Sequence, residues 1–125
     1  MGYLTREQIL QAPDLPREVV AIPEWGGEVL VRGLTGAERA ELEIPFLEGV
    51  GQNGKTPKVS GDKFKLLRER LVSMTVIGED GERLFSETDV AALSKKSAVA
   101  LQRVFDVGQR LSGMSQEDVE ELSKN

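Results

Sequence analysis

The chain has 125 residues and a formal net charge of −5, and it contains neither cysteine nor histidine. Without them it lacks thiolate nucleophiles and metal ligands, and it lacks the commonest general base near neutral pH. An acidic chain with no basic block is a poor nucleic-acid binder, because that affinity depends on neutralising phosphates. The composition predicts a protein-binding chain rather than an enzyme, with no cofactor, metal or nucleic-acid partner.

The length fits a single domain, which we assign to residues 1–125. No apolar run is long enough to span a bilayer, and the first residues contain no apolar core of a secretory signal. These features predict a cytoplasmic protein with no membrane partner.

Residues 1–34 predict a short helix followed by a β-hairpin. Thr5 and Gln8 have the spacing of a capping box, and Pro13 ends the helix. Two runs rich in β-branched residues, 18–22 and 28–32, flank a turn that contains Trp25 and two glycines. Alternation along the second run places Val29 and Val31 on one face of the hairpin.

Residues 35–48 predict a second helix, opened by a capping box at Thr35 and Glu38. Its apolar face is expected to include Ala37 and Ala40, and Pro45 is expected to end or kink it. Residues 49–61 contain four glycines and a proline, which predicts a flexible loop.

Residues 62–114 predict a helical core. A helix with apolar residues at steps of three and four covers residues 62–77, and a polar turn follows at 78–82. A short helix then ends at Leu93, and Ser94 is a candidate cap for the longest helix, which reaches Ser112. Residues 115–125 predict an acidic helix or tail. The fold class is α+β and mostly α-helical, with one N-terminal hairpin and about five helices.

The longest helix is apolar around more than half of its circumference, which is wider than a one-sided surface helix requires. It is therefore either packed between two layers of its own domain or shares one face with a partner. Trp25 also has two interpretations, since it is either buried under the first helix or exposed as a binding anchor. The candidate partner-binding residues are Trp25, Val99, Val104, Val107 and Leu111.

One segment matches a phosphate-binding motif literally. Gly49, Gly54, Lys55 and Thr56 have the Walker A spacing. The motif requires a preceding buried strand and a helix that starts at once, so that backbone N–H groups meet phosphate. Here a predicted helix precedes it and Pro57 follows it, so we do not assign a nucleotide site. The carboxylates at 79–82 lack the ligand pattern of a calcium loop and fit a solvated turn.

Several segments together resemble the tail assembly chaperones of long-tailed, non-contractile bacteriophages. The resemblance covers nearly the whole chain except the glycine-rich loop and the last few residues. The segments that carry it are residues 4–10, 20–27, 29–39, 78–81, 84–85, 89–97 and 101–105.

The resemblance implies a non-catalytic protein that binds the tape-measure protein, keeps it soluble and helps recruit the tail-tube protein. It also implies that a ribosomal frameshift near the end of the gene yields a longer form of the chain as a further partner. The alternative is a structural virion component, such as a connector or a part of the tail tube. The sequence leaves open whether the chain forms a homo-oligomer.

Overall fold

The computed structural model describes residues 2–50 and 66–123. A three-stranded antiparallel sheet accompanies six α-helices in this part of the chain. The elements in chain order are α1 (Arg6–Gln11), β1 (Arg17–Ile22), a 3₁₀ turn (Pro23–Trp25), β2 (Gly27–Arg32), α2 (Gly36–Val50), α3 (Leu67–Thr75), β3 (Val76–Ile77), a 3₁₀ turn (Glu87–Asp89), α4 (Val90–Leu93), α5 (Ala98–Leu111) and α6 (Gln116–Ser123). The predicted mostly α-helical α+β class is confirmed.

The N-terminal hairpin is confirmed, but the sheet contains a third strand that the sequence did not predict. The strands lie in the order β1-β2-β3, and β3 pairs antiparallel with β2 through Leu30–Ile77 and Val31–Val76. The predicted helix over residues 62–77 is wrong at its end, because α3 stops at Thr75. Val76 and Ile77 are β-branched and therefore suit a strand. A run of two apolar residues is too short, however, to show whether its periodicity is helical or extended.

The hydrophobic core lies between one face of the sheet and helices α3 and α5. That face is formed by alternate residues of β1 and β2, among them Val20, Ile22 and Val31, all buried. α5 lies across α3 at close range. A Cβ on Gly108 would approach the side chains of Leu71 and Thr75 to 3.1 Å. The glycine therefore allows the two helices to pack closely.

The start of α5 differs from the prediction. The helix begins at Ala98, and its N-cap is Ser97, whose hydroxyl accepts a hydrogen bond from the Ala100 N–H at 3.2 Å. Ser94 instead ends α4, where its hydroxyl donates to the carbonyl of Ala91. Both serines are good caps by residue type, but the N–H groups of Ser94, Lys95 and Lys96 bond back to carbonyls of α4, so α5 begins only after them.

Two expectations for α2 also need correction. The helix does not end at Pro45 but continues to Val50, because a proline removes only one helical hydrogen bond and leaves those on either side. The alternative, a kink at Pro45, stays a prediction. Ala37 and Ala40 are exposed, whereas Glu38 and Leu42 are buried. The face of α2 that points toward the domain interior therefore contains Glu38 and Leu42, which are one helical turn apart.

Glu38 is the centre of a buried ion-pair network. Its side chain accepts hydrogen bonds from both Nη atoms of Arg32 at 2.7 and 2.8 Å, and from Nε and Nη2 of Arg83 at 2.9 and 2.6 Å. It also accepts the Thr35 N–H at 2.9 Å, which completes the predicted capping box. One carboxylate therefore joins the end of β2, the start of α2 and the segment that follows β3.

The environment of Glu38 fixes its charge. Burial alone raises the pKa of a carboxyl group, but the hydrogen bonds from Arg32, from the Thr35 N–H and from Arg83 outweigh that effect. The result is a pKa lowered to about 2. Glu38 is therefore ionised at neutral and mildly acidic pH.

Replacing this carboxylate is expected to be costly. In E38Q the geometry of the side chain is kept but two arginines lose their counter-charge, so the free energy of unfolding should fall by about 3–5 kcal/mol. The matched control is E41Q, since the Glu41 carboxylate lies 3.9 Å from Arg83 and is half-exposed. That variant should stay within about 0.5 kcal/mol of the wild type in urea unfolding.

The same network predicts a pH dependence. A carboxyl group of the unfolded chain titrates near pH ~4.3, whereas that of Glu38 in the folded chain titrates at about 2. The stabilisation is complete above the unfolded value and is lost as the pH falls toward the folded one. Between pH ~5 and 2 the wild type should lose more stability than E38Q. Parallel pH profiles of the two proteins would contradict this assignment.

Candidate partner-binding surface

Most of the apolar surface of α5 lies inside the domain. The helix contacts α3 on one side and strands β1 and β2 on the other. The helix is thus packed between two layers of its own domain, which was the first of the two interpretations of its wide apolar surface. Its buried residues are Ala100, Leu101, Val104, Phe105 and Gly108.

The five candidate partner-binding residues occupy different environments. Val104 is fully buried, and Val107 and Leu111 are half-buried against the core. Trp25 is half-buried in the 3₁₀ turn of the hairpin, where it also packs against the core. Of the five, Val99 is the large apolar side chain that is exposed, at 64%. Partner binding by these residues stays a prediction, and Val99 is the member that a partner reaches without rearrangement of the core.

Two arginines of α5 form ion pairs that connect the helix to the hairpin. Arg103 donates to both carboxylate oxygens of Glu24 at 2.7 and 3.0 Å, and Arg110 donates to those of Glu18 at 2.7 and 2.9 Å. The hydrogen bonds from Arg103 lower the pKa of Glu24 to about 2. These two arginines are thus engaged in ion pairs within the domain.

Sequence reasoning missed an exposed apolar group at the N-terminus. No residue of α1 is buried. A signal was present in the sequence, because a six-residue helix isolated by prolines is too short to bury a face of its own. Its large exposed apolar residues, with those just before it, are Tyr3, Leu4, Ile9 and Leu10.

The structure also bears on the Walker A match and on metal binding. Gly49, the first glycine of the Walker A match, lies inside α2, and residues 51–56 lie outside the described residues. A helix therefore precedes the motif where a phosphate-binding loop needs a strand. Within residues 2–50 and 66–123 no three acidic, cysteine or histidine side chains are grouped to hold a metal ion. In the same part of the chain no helix is long and apolar enough to cross a membrane.

A family model described as phage tail assembly chaperone matches residues 6–125. The chain belongs to the phage tail assembly chaperone family. The fold of this chaperone is similar to that of the tail assembly chaperone of bacteriophage HK97, with a TM-score of 0.57. The two chains are 17% identical, and the match covers 88% of this chain and 95% of the other. No curated protein sequence matches the chaperone significantly.

A matched pair of valines on α5 separates packing from surface exposure. V104A should lower the free energy of unfolding by about 2–3 kcal/mol, because it removes fully buried methyl groups and leaves a cavity. V99A makes the same change at an exposed position of the same helix and should stay within about 0.5 kcal/mol of the wild type. Urea denaturation measures both, and an equal loss for the two variants would contradict the packing of α5 described here.

Proposed function

We propose that this chaperone binds the tape-measure protein of its phage, keeps it soluble in the host cytoplasm and helps recruit the tail-tube protein around it. The observation that carries the proposal is the family match over residues 6–125. The role is non-catalytic and uses no cofactor.

Exposed apolar side chains support a binding role. Among the residues whose burial the structure describes, seven large apolar side chains are exposed to solvent, and four of them belong to the short N-terminal segment around α1. Side chains that are exposed singly are ordinary on a soluble protein, but several on one segment with no buried residue are a feature of interaction sites. We assign the first contact with the client to this segment and to Val99.

The acidic balance favours one class of client surface. A chain with net charge −5 attracts segments rich in lysine or arginine and repels acidic ones. Such a charge also disfavours association with nucleic acid during assembly. The proposed client is thus a long helical protein with apolar positions and basic flanks.

Co-expression with the neighbouring tape-measure protein tests the proposal. We expect the tape-measure protein to remain in the soluble fraction only when the chaperone is present. A double variant, I9S with V99S, should reduce that soluble fraction, since it removes exposed apolar contacts without touching the core. A37S, at an exposed position of α2, is the control and should leave the fraction unchanged. A tape-measure protein equally soluble without the chaperone would contradict the proposal.

Mass spectrometry of infected cells and purified virions distinguishes the chaperone from a structural component. We expect the chain, together with a longer frameshifted form that shares its N-terminal peptides, to be abundant in infected cells. Both should be depleted from purified particles. Stoichiometric copies in the virion would favour a connector or a tail-tube part instead.

A further inference from the structure

A groove with a largely apolar lining lies on the outer side of the sheet, and we call it the outer groove. Its volume is about 390 Å³, which is within the range of ligand pockets, about 300–1,000 Å³. The apolar lining comes from Val19, Leu30, Ile77 and Leu84, and the acidic lining from Glu28 and Glu79.

The register of the sheet brings three of the apolar side chains together. Val19 lies opposite Leu30, and Leu30 lies opposite Ile77. Residues that lie directly opposite each other in neighbouring strands have side chains on the same face and in contact. Val19 is 59% exposed and Leu30 is partly exposed, whereas Ile77 is buried. These residues therefore form a continuous apolar row across the three described strands, and a partner can reach it from solvent.

The fourth apolar side chain is held in place by the fold. Leu84 is 57% exposed, but its N–H donates to the Val76 carbonyl at 3.1 Å. The preceding residue, Arg83, is fixed by hydrogen bonds to Glu38 at 2.6 and 2.9 Å. The outer groove is thus formed before a partner arrives, so binding does not include the cost of ordering a loop. Exposed apolar side chains at one preformed concave site are typical of an interaction surface.

Carboxylates surround the outer groove. Glu28 and Glu79 line it, and Asp80 and Glu82 follow in the segment that contains Glu79. All four residues are exposed. Within the described part of the chain, neither Glu28 nor Glu79 makes an ion pair. These two carboxylates are therefore free to pair with a cation of a partner.

The nearby arginines do not neutralise this group. Arg32 and Arg83 share the buried carboxylate of Glu38. The Arg17 guanidinium lies beside Gly81, since a Cβ on that glycine would come within 3.2 Å of Nη2. Five carboxylates, with Glu38 included, thus stand against three guanidinium groups. The negative balance attracts a basic partner and repels an acidic one.

We infer that the outer groove binds a helical segment of the client that carries large aliphatic side chains next to a lysine or arginine. The aliphatic side chains cover Val19 and Leu84, and the cation pairs with Glu28 and Glu79. On a helix such residues lie on one face when they are three or four positions apart. The inference rests on the proposed function for the client and adds the place and the chemistry of the contact.

Fluorescence anisotropy with peptides from the neighbouring tape-measure protein tests the apolar contact. Peptides of about 20 residues span about 30 Å as a helix. Those that bind should combine aliphatic residues with a lysine or arginine one turn away. V19S and L84S should each weaken the tightest peptide about tenfold, because each removes an exposed apolar contact of the groove. A37S, at an exposed position of α2, should bind like the wild type.

A charge exchange tests the ion pair. E79K should weaken the same peptide about tenfold. E120K makes the same change of net charge at an exposed position of α6, outside the groove, and should change the affinity less than about twofold. A peptide with glutamate in place of its basic residue should bind the wild type weakly and E79K more tightly. A merely structural role of Glu79 would not produce that exchange.

Circular dichroism should show that every variant is folded, since the changed side chains are exposed. Equal affinity of the wild type, L84S and E79K for a bound peptide would overturn the inference and leave the proposed function intact. So would a peptide set that does not bind at hundreds of micromolar while co-expression still keeps the tape-measure protein soluble. If V19S alters the sedimentation of the chaperone alone but not peptide affinity, the groove belongs to a contact between copies and the inference is wrong. Failure of the co-expression experiment, in contrast, contradicts the proposed function itself.

Discussion

The fold depends on one buried carboxylate more than on any single apolar contact. Glu38 holds two guanidinium groups and one backbone N–H, and one of these donors, Arg83, lies 45 residues further along the chain. A buried charge is stable only when it is paired and its hydrogen-bonding positions are filled. Since Glu38, Arg32 and Arg83 satisfy one another, the network connects the hairpin, α2 and the segment after β3. The hydrophobic layer beneath them then packs against α3 and α5.

Some elements of the fold follow from local sequence patterns, and others depend on contacts with distant parts of the chain. Thr5 and Thr35 have local capping signals, and both capping boxes form as predicted. The hairpin also follows from local patterns, namely β-branched runs that flank two glycines. The end of α3 and the start of α5 do not follow from local patterns, because the first depends on the pairing of β3 with β2 and the second on the turn that follows α4. The inward face of α2 was not predicted, because a glutamate is buried there. Its two arginine partners cannot be identified from the local sequence.

The candidate partner-binding site stays a prediction, and its residues differ in exposure. The wide apolar surface of α5 drew attention to Val104, Val107 and Leu111, but burial between the sheet and α3 uses that surface within the domain. Amphipathic width alone cannot distinguish a helix between two layers from one that awaits a partner. The exposed residues near α1 carried a weaker signal, because a helix of one to two turns has almost no periodicity to read.

The connection between α1 and β1 has a geometric consequence for client capture. α1 has no buried residue, so its apolar side chains are held near the domain chiefly by residues 12–16, five residues that include two prolines. A chain of this length reaches roughly 17 Å when extended. The tether confines α1 to a small volume beside the sheet, and a short tether gives a second contact a high effective concentration. In the proposed function, a client that is bound by α1 is therefore held close to the sheet of the domain.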